Sequence, residues 1–306
     1  MTPDLLTQAL TIMNSVMQTA ITFGLLALSI IAVWLPPIPI GKRFTVPAWL
    51  LLFVAAIISG LVAGYLTWPA LPALALFAAV AYLTTRTAGG RAQRIFFGVL
   101  TAATALALAL HLLPGFKNPV LIANAKFSPD AAPFSQYASF DKAAAGLILL
   151  AWLCNRATSV EDWNEIWRRT PLMVLATTAV VLVAAVATGY VRFDPKLPVY
   201  TPVFLAVNLF FTCVAEEAFF RGFLQERLAV SLRSYRVGSL IAIVSSGSLF
   251  GVAHAAGGGL YVVLATIAGF GYAYAYASVR RVEASIITHF VVNAVHFVAF
   301  TYPRIG

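Results

Sequence analysis

Charge is what this sequence has least of. Asp and Glu number 11 and Lys and Arg 20 in 306 residues, so charged side chains are 10% of a chain that is 61% hydrophobic. A mean hydropathy of +0.88 excludes a soluble domain of this length, which would need far more polar surface to face water. With only Cys154 and Cys213, no disulfide framework can form, and both read as small buried residues. The four histidines include no H-E-x-x-H pair, which removes the helical signature of zinc proteases. There is no internal repeat and no polar stretch long enough for a soluble domain. The first apolar run lacks a basic flank before it and a small-residue cleavage site after it, so it reads as a retained helix and not a signal peptide.

What is present is a succession of apolar runs, each close to the roughly 20 residues that a helix needs to cross a bilayer. They fall near 18–35, 47–66, 69–84, 94–113, 142–155, 171–190, 202–220, 238–255, 259–279 and 283–301, the fifth being the shortest. The expected fold is all-α: a polytopic transmembrane bundle of about 8–10 spans. Of the 20 basic residues, 14 fall in alternate connections: Lys42 and Arg43; Arg86, Arg91 and Arg94; Arg156, Arg168 and Arg169; Arg221, Arg227, Arg233 and Arg236; Arg280 and Arg281. The positive-inside rule makes these connections cytoplasmic and both termini external, in a multi-pass protein expected in a bacterial inner membrane. The net charge of +9 is then a matter of topology and anionic lipid headgroups, and nucleic acid is not an expected partner.

"YVRFDPKLPVYTP", residues 190–202, cannot continue a membrane helix with its three prolines. It divides the chain into N-terminal membrane helices, 1–200, and a chemistry-bearing core, 201–306. In the first part His111 reads as a hydrogen-bonded structural residue near a helix end. "SVEDWNEIWRRTP", residues 159–171, has a capping spacing from Ser159 to Asp162, with Trp163, Ile166 and Trp167 on one face. That pattern predicts a short helix lying in the membrane interface, its rings toward lipid and its acids toward water.

The second part places Glu216, Glu217, Arg221, His254, His289, Asn293 and His296 on apolar helices, and ionisable groups inside a membrane mark reactive sites or pathways. Glu217 and Arg221, four apart, share a helical face and can pair, while Glu216 points about 100° away and is left to face something else. Glu216 lies about 19 residues before a turn near Tyr235 and His254 about 19 after it. At 1.5 Å per residue both stand roughly 28 Å from the turn, level on antiparallel neighbours. The helix after that turn should break at Gly257, Gly258 and Gly259. His289, Asn293 and His296 form a stripe by their four-then-three spacing. Hairpin counting alone does not bring His289 level with His254, so a tilt or a re-entrant segment after Gly259 is expected. A carboxylate and an imidazole can share a water and take its proton, while a second imidazole and an amide donate to the oxyanion formed at a carbonyl. Amide hydrolysis fits such a set. Zinc held by Glu216, His254 and His289 is the chemical alternative to a cofactor-free site.

At these residues the chain resembles the CAAX-protease and bacteriocin-processing (CPBP or Abi) family of intramembrane endopeptidases, which includes the Ras-converting CAAX endopeptidase. The resemblance rests on "EEAFFR" at 216–221, "FGVAH" at 250–254 and "HFVVN" at 289–293, over roughly 203–302. It implies a catalytic cavity open to the cytosol. Glu216 and His254 would then activate water, and His289 and Asn293 would form the oxyanion hole. Glu217, Arg221 and Phe250 would support them; His296 lies outside the motifs and is counted with the support. The implied partner is a peptide or protein substrate at the membrane, lipidated or with a hydrophobic tail, beside membrane lipids. Two readings compete: a non-catalytic immunity or scaffold protein of the same fold, which need not keep the whole set, and a transporter, for which the first six spans supply no acids.

Overall fold

The computed structural model describes residues 3–41, 44–86 and 90–306, so the basic pair Lys42 and Arg43 lies outside the described residues. Its elements are overwhelmingly helical, in two compact units.

The first unit, Met1–Pro119 with Tyr137–Ile148, holds α1 (Pro3–Ile31), α2 (Ala48–Val62), α3 (Ala70–Thr85), α4 (Arg91–Ala109) and most of α5 (Phe140–Leu153). A short antiparallel hairpin, β1 (Ile38–Ile40) with β2 (Phe44–Val46), joins α1 to α2. Pro47 and Pro69 occupy the N-cap positions of α2 and α3, where a missing N–H costs nothing. Hydroxyl pairs tie neighbouring helices together where water is scarce: Thr22 to Ser59 at 2.7 Å and Thr84 to Thr101 at 2.8 Å. His111 follows α4 with positive φ, its Nδ1 2.7 Å from Asp141 Oδ2, and is a hydrogen-bonded residue at a helix end as its sequence context suggests. The fifth run is short for a physical reason: residues 143–150 of α5 are all buried, so this helix is surrounded by protein and need not match a bilayer's thickness.

The second unit, Val120–Gln136 with Leu149–Gly306, contains β3 (Val120–Ala125), which pairs with β4 (Phe134–Tyr137), and five long helices. These are α6 (Val160–Ala187), α7 (Thr201–Ser231), α8 (Gly238–Ala253), α9 (Gly259–Val279) and α10 (Val282–Ala299). Across the described residues six helices are long and apolar enough to cross a membrane, and α2, α3 and α8 are shorter apolar helices. The chain is an all-α, polytopic membrane protein.

The proline-rich break emerges as irregular chain between α6 and α7, where it hydrogen-bonds to the C-terminal tail: Lys196 N–H donates to Val298 O, and Thr301 N–H to Arg192 O. Phe204 of α7 stacks on Phe297 of α10 at 3.8 Å beside buried Ile122.

The expected interfacial helix at 159–171 is not a separate element. Ser159 does cap a helix by accepting from Asp162 N–H, but that helix runs on through Pro171 to Ala187. Its first turns are held by protein: Asp162 pairs with Arg281 at 2.7 Å, Arg169 donates to Ser278 O at 2.9 Å, and Ile166 is fully buried beside Val279 and Ala284. Polar partners at the α9–α10 turn, which a single segment cannot reveal, dock the amphipathic stretch upright.

Candidate active site

α7 carries both carboxylates, and it is not uniform. π-helical stretches at Asn208–Cys213 and Ala218–Gln225 flank one α-helical turn, Val214–Glu217. A π turn adds a residue per loop of backbone and re-aims the side chains around it, and such bulges gather at functional sites. Here the re-aiming buries one carboxylate completely and leaves its neighbour on a partly open edge.

Glu217 is the buried one. Its Oε2 stands 3.2 Å from Arg221 Nε, and neither side chain has exposed surface. The guanidinium also donates to Gly269 O at 2.9 Å and lies over the rings of Phe250, Tyr272 and Phe220, at 4.6, 5.4 and 5.6 Å from their centroids. Aromatic faces attract a desolvated cation, so the pair sits in an electrostatically closed box. Gly247 and Gly269 allow α8 and α9 the close approach this box requires: a Cβ on Gly269 would fall 2.7 Å from Gly247 O.

Glu217 has a second partner. His289 Nδ1 is 2.8 Å from its Oε1, the ring stacks on Tyr272 at 4.5 Å, and Phe250 meets it edge-on at 5.5 Å. No tilt or re-entrant segment is needed to bring His289 there, contrary to expectation. α9 is continuous from Gly259, and the level is set by the turn that follows it, where Arg280 pairs with Glu226 of α7. Glu226 lies nine residues beyond Glu217 and His289 nine beyond Arg280, so the two chains arrive together. The α8 helix ends at Ala253, just before the predicted glycines, and His254 caps it.

Glu216 is 14% exposed and His254 22%. Glu216 Oε2 lies 4.0 Å from His254 Nε2 and 4.0 Å from His289 Nε2. That is too long for a direct hydrogen bond and the right span for one bridging water. The His254 ring is oriented by its other nitrogen, Nδ1, 2.7 Å from Phe250 O. In that tautomer Nε2 presents a lone pair to the gap. Phe250 thus touches three functional groups, with its carbonyl on His254 and its ring on Arg221 and His289.

Asn293 stands one turn beyond His289. Its amide donates to Asn208 Oδ1 at 3.3 Å, and the same oxygen accepts from Cys213 Sγ–H at 3.2 Å. Asn208, Tyr272 and Tyr261, whose ring meets His254 at 5.5 Å, belong to this neighbourhood and were not expected from sequence. Asn208 had a readable signal, an amide alone in "VFLAVNLFFTCV"; the tyrosines had none. His296 is placed apart from the cluster, its Nε2 3.3 Å from Thr301 O and its ring against Tyr302. Arg221, counted above among the basic connections, is buried within α7 and carries no weight as a topological charge.

Among the described residues no group of three His, Cys, Asp or Glu side chains is disposed to hold a metal ion. The Glu216 separations of 4.0 Å from both histidines exceed the roughly 3.4 Å edge set by tetrahedral ligands near 2.1 Å from zinc. As they stand, these residues do not form a zinc site.

A closed ion pair supporting an open carboxylate and two imidazoles, on four membrane helices, narrows the field to water activation. Comparison with known families agrees. Residues 198–295 match the family described as Rce1-like, type II CAAX prenyl endopeptidase. This segment belongs to the Rce1-like family. It contains Glu216, Glu217, Arg221, Phe250, His254, His289 and Asn293, and ends one residue before His296. Neither the curated proteins nor the solved structures include a match to the chain. The Rce1-like segment makes the protein a membrane protease at the level of its family.

Proposed function

We propose that this chain is an intramembrane endopeptidase that hydrolyses a peptide bond near a membrane-held tail of its substrate, with Glu216 and His254 activating the water. The observation that carries this reading is the position of Glu216 Oε2, 4.0 Å from two imidazole Nε2 atoms at the only partly exposed edge of a buried charged cluster. A water there donates one proton toward the Glu216 carboxylate and the other toward His254 Nε2, which leaves an oxygen lone pair for the scissile carbonyl. The oxygen–carbon bond forms as the proton moves onto the base. When the tetrahedral intermediate collapses, the C–N bond breaks and that proton passes to the leaving nitrogen, giving a carboxylate and an amine.

The developing oxyanion is met by His289 and Asn293. Because His289 Nδ1–H points at Glu217, its Nε2 donates only when the ring carries two protons, with the charge compensated by Glu217. Glu217 therefore has an electrostatic part in the chemistry as well as in the Arg221 pair. Asn293 spends one N–H on Asn208 and keeps the second for the oxyanion. Asn208 is thus a positioning residue. The family's description as a prenyl endopeptidase supports a substrate with a lipidated C-terminal tail. The basic turns bearing Arg233, Arg236, Arg280 and Arg281 face the cytosol by the positive-inside rule, with both termini outside. Membrane-impermeant labelling of single cysteines placed after Arg280 and near Gly306 tests this: labelling of both from one side overturns it.

Glu216→Gln tests the mechanism. The amide keeps the shape but accepts no proton, so kcat on a quenched fluorescent farnesylated CAAX-type peptide should fall by about 10²–10⁴-fold with KM nearly unchanged. Wild-type turnover by this variant would remove Glu216 as the base and favour the scaffold reading for the fold.

A further inference from the structure

Where α7 turns into α8 and α9 into α10, a cavity of about 370 Å³ opens at the end of the second unit. Its wall includes Arg233 and Arg236 from the first turn, Arg280 from the second, and Gln225, Glu226 and Tyr276. Glu226 is already engaged: it accepts from Tyr276 OH at 2.9 Å and pairs with the Arg280 guanidinium. No carboxylate among the described residues lies within ion-pair distance of Arg233 or Arg236, so two guanidiniums face the cavity uncompensated by protein. Gln225 is a second, independent sign. It is 2% exposed and donates from Nε2 to Ala273 O at 2.8 Å, yet its buried Oε1 has no hydrogen-bond partner among the described residues. A buried acceptor left without a donor costs about 1–3 kcal/mol unless something brings one.

The cavity therefore asks for an anion that two guanidiniums can grip and for a hydroxyl or amine to satisfy Gln225. Its position at the ends of membrane-length helices puts it at headgroup depth, where phosphodiesters are the abundant anions and where basic pockets between spans bind lipid. Planar guanidiniums match phosphate oxygens in paired hydrogen bonds. We propose that this pocket binds the headgroup of an anionic glycerophospholipid, its phosphate held by Arg233 and Arg236 and a headgroup hydroxyl donating to Gln225 Oε1. Bare solvated arginines would account for the charge but not for a cavity walled by a buried, unmet acceptor. Gln225 also lies one turn from Arg221 on α7, and each donates to a carbonyl of α9, Ala273 and Gly269. Occupancy at the turn thus braces the strip of α7 that holds the catalytic ion pair, and thermal stability reports it.

Full-length protein in mild detergent is titrated with short-chain phosphatidylglycerol, phosphatidylcholine, glycerol 1-phosphate or inorganic phosphate, following thermal unfolding and lipid adducts by native mass spectrometry. Phosphatidylglycerol should raise the unfolding temperature saturably and give a one-to-one adduct; phosphatidylcholine, which has no headgroup donor, should not. Arg233→Gln/Arg236→Gln should weaken the half-saturating concentration by about tenfold or more, since hydrogen bonds to charged groups are lost. Arg91→Gln/Arg94→Gln, which removes the same charge from exposed positions at the start of α4, should leave it unchanged. Equal weakening by the two double variants would reduce the effect to diffuse charge and overturn the site. Equal stabilisation by glycerol 1-phosphate would assign a soluble anion and overturn the lipid, and absence of a saturable phosphatidylglycerol adduct would overturn both. If the double variant folds poorly, Arg236→Gln alone should still show weakened binding.

Discussion

Glu217→Gln separates charge from shape at the one position that serves both the fold and the chemistry. Glutamine keeps an oxygen for His289 Nδ1–H and for Arg221, so the packing of α7 against α9 and α10 should persist. What disappears is the negative charge between two cationic partners. Glu217 and Arg221 are both wholly buried, 3.2 Å apart, so no water takes over the compensation. Removing one member of such a pair costs about 3–5 kcal/mol, chiefly because the other charge stays buried and unmatched. The unfolding temperature in detergent should drop by several degrees. Turnover should drop separately, by about 10²–10³-fold, because His289 loses the counter-charge that lets its ring donate to the oxyanion. The double variant Glu217→Gln/Arg221→Met removes the stranded cation and should recover part of the stability while recovering none of the turnover. Differential scanning fluorimetry with single-turnover cleavage of the farnesylated peptide reads the two effects independently. A Glu217→Gln protein that unfolds at the wild-type temperature and cleaves at the wild-type rate would refute the reasoning at both points.

Two further outcomes follow from the same geometry. Asn208→Leu should lower kcat by about tenfold or more with KM held, and adding it to Asn293→Ala should cost little beyond Asn293→Ala alone, because residues in one hydrogen-bond network do not add. Full additivity in that cycle would make Asn208 a packing residue unconnected to Asn293. Chelator-treated protein should keep its activity, since carboxylate and imidazole suffice to activate the water; loss of activity that stoichiometric zinc restores would replace this mechanism with a metal-dependent one.

Much of the site was legible because periodicity is local. Four-residue spacing alone paired Glu217 with Arg221 and turned Glu216 away, and counting along one hairpin brought Glu216 near His254. The counting failed at His289 because it assumed that neighbouring turns end at one height. The α9–α10 turn stops level with Glu226, and the Arg280 pair that fixes this height joins residues 54 apart in the chain. The interfacial helix at 159–171 failed for the same reason: its acids and Ile166 find partners on α9 and α10, far away in sequence.

The π-helical stretches of α7 lie further still from what a single sequence discloses. Nothing in "NLFFTC" or "AFFRGFLQ" excludes an ordinary α-helix, and the extra residue per turn is stabilised by what it permits across the bundle. One such stretch starts at Asn208, whose side chain reaches Asn293; the other begins just after Glu217 and contains Arg221 and Gln225, both bonded to α9. A regular α-helix would rotate Asn208 relative to Glu217 by several tens of degrees, since each π turn lags the 100° advance per residue. The amide that orients the oxyanion donor and the carboxylate that balances His289 could then not both face α10. The departure from regular helix is therefore part of how one element serves two neighbours at once.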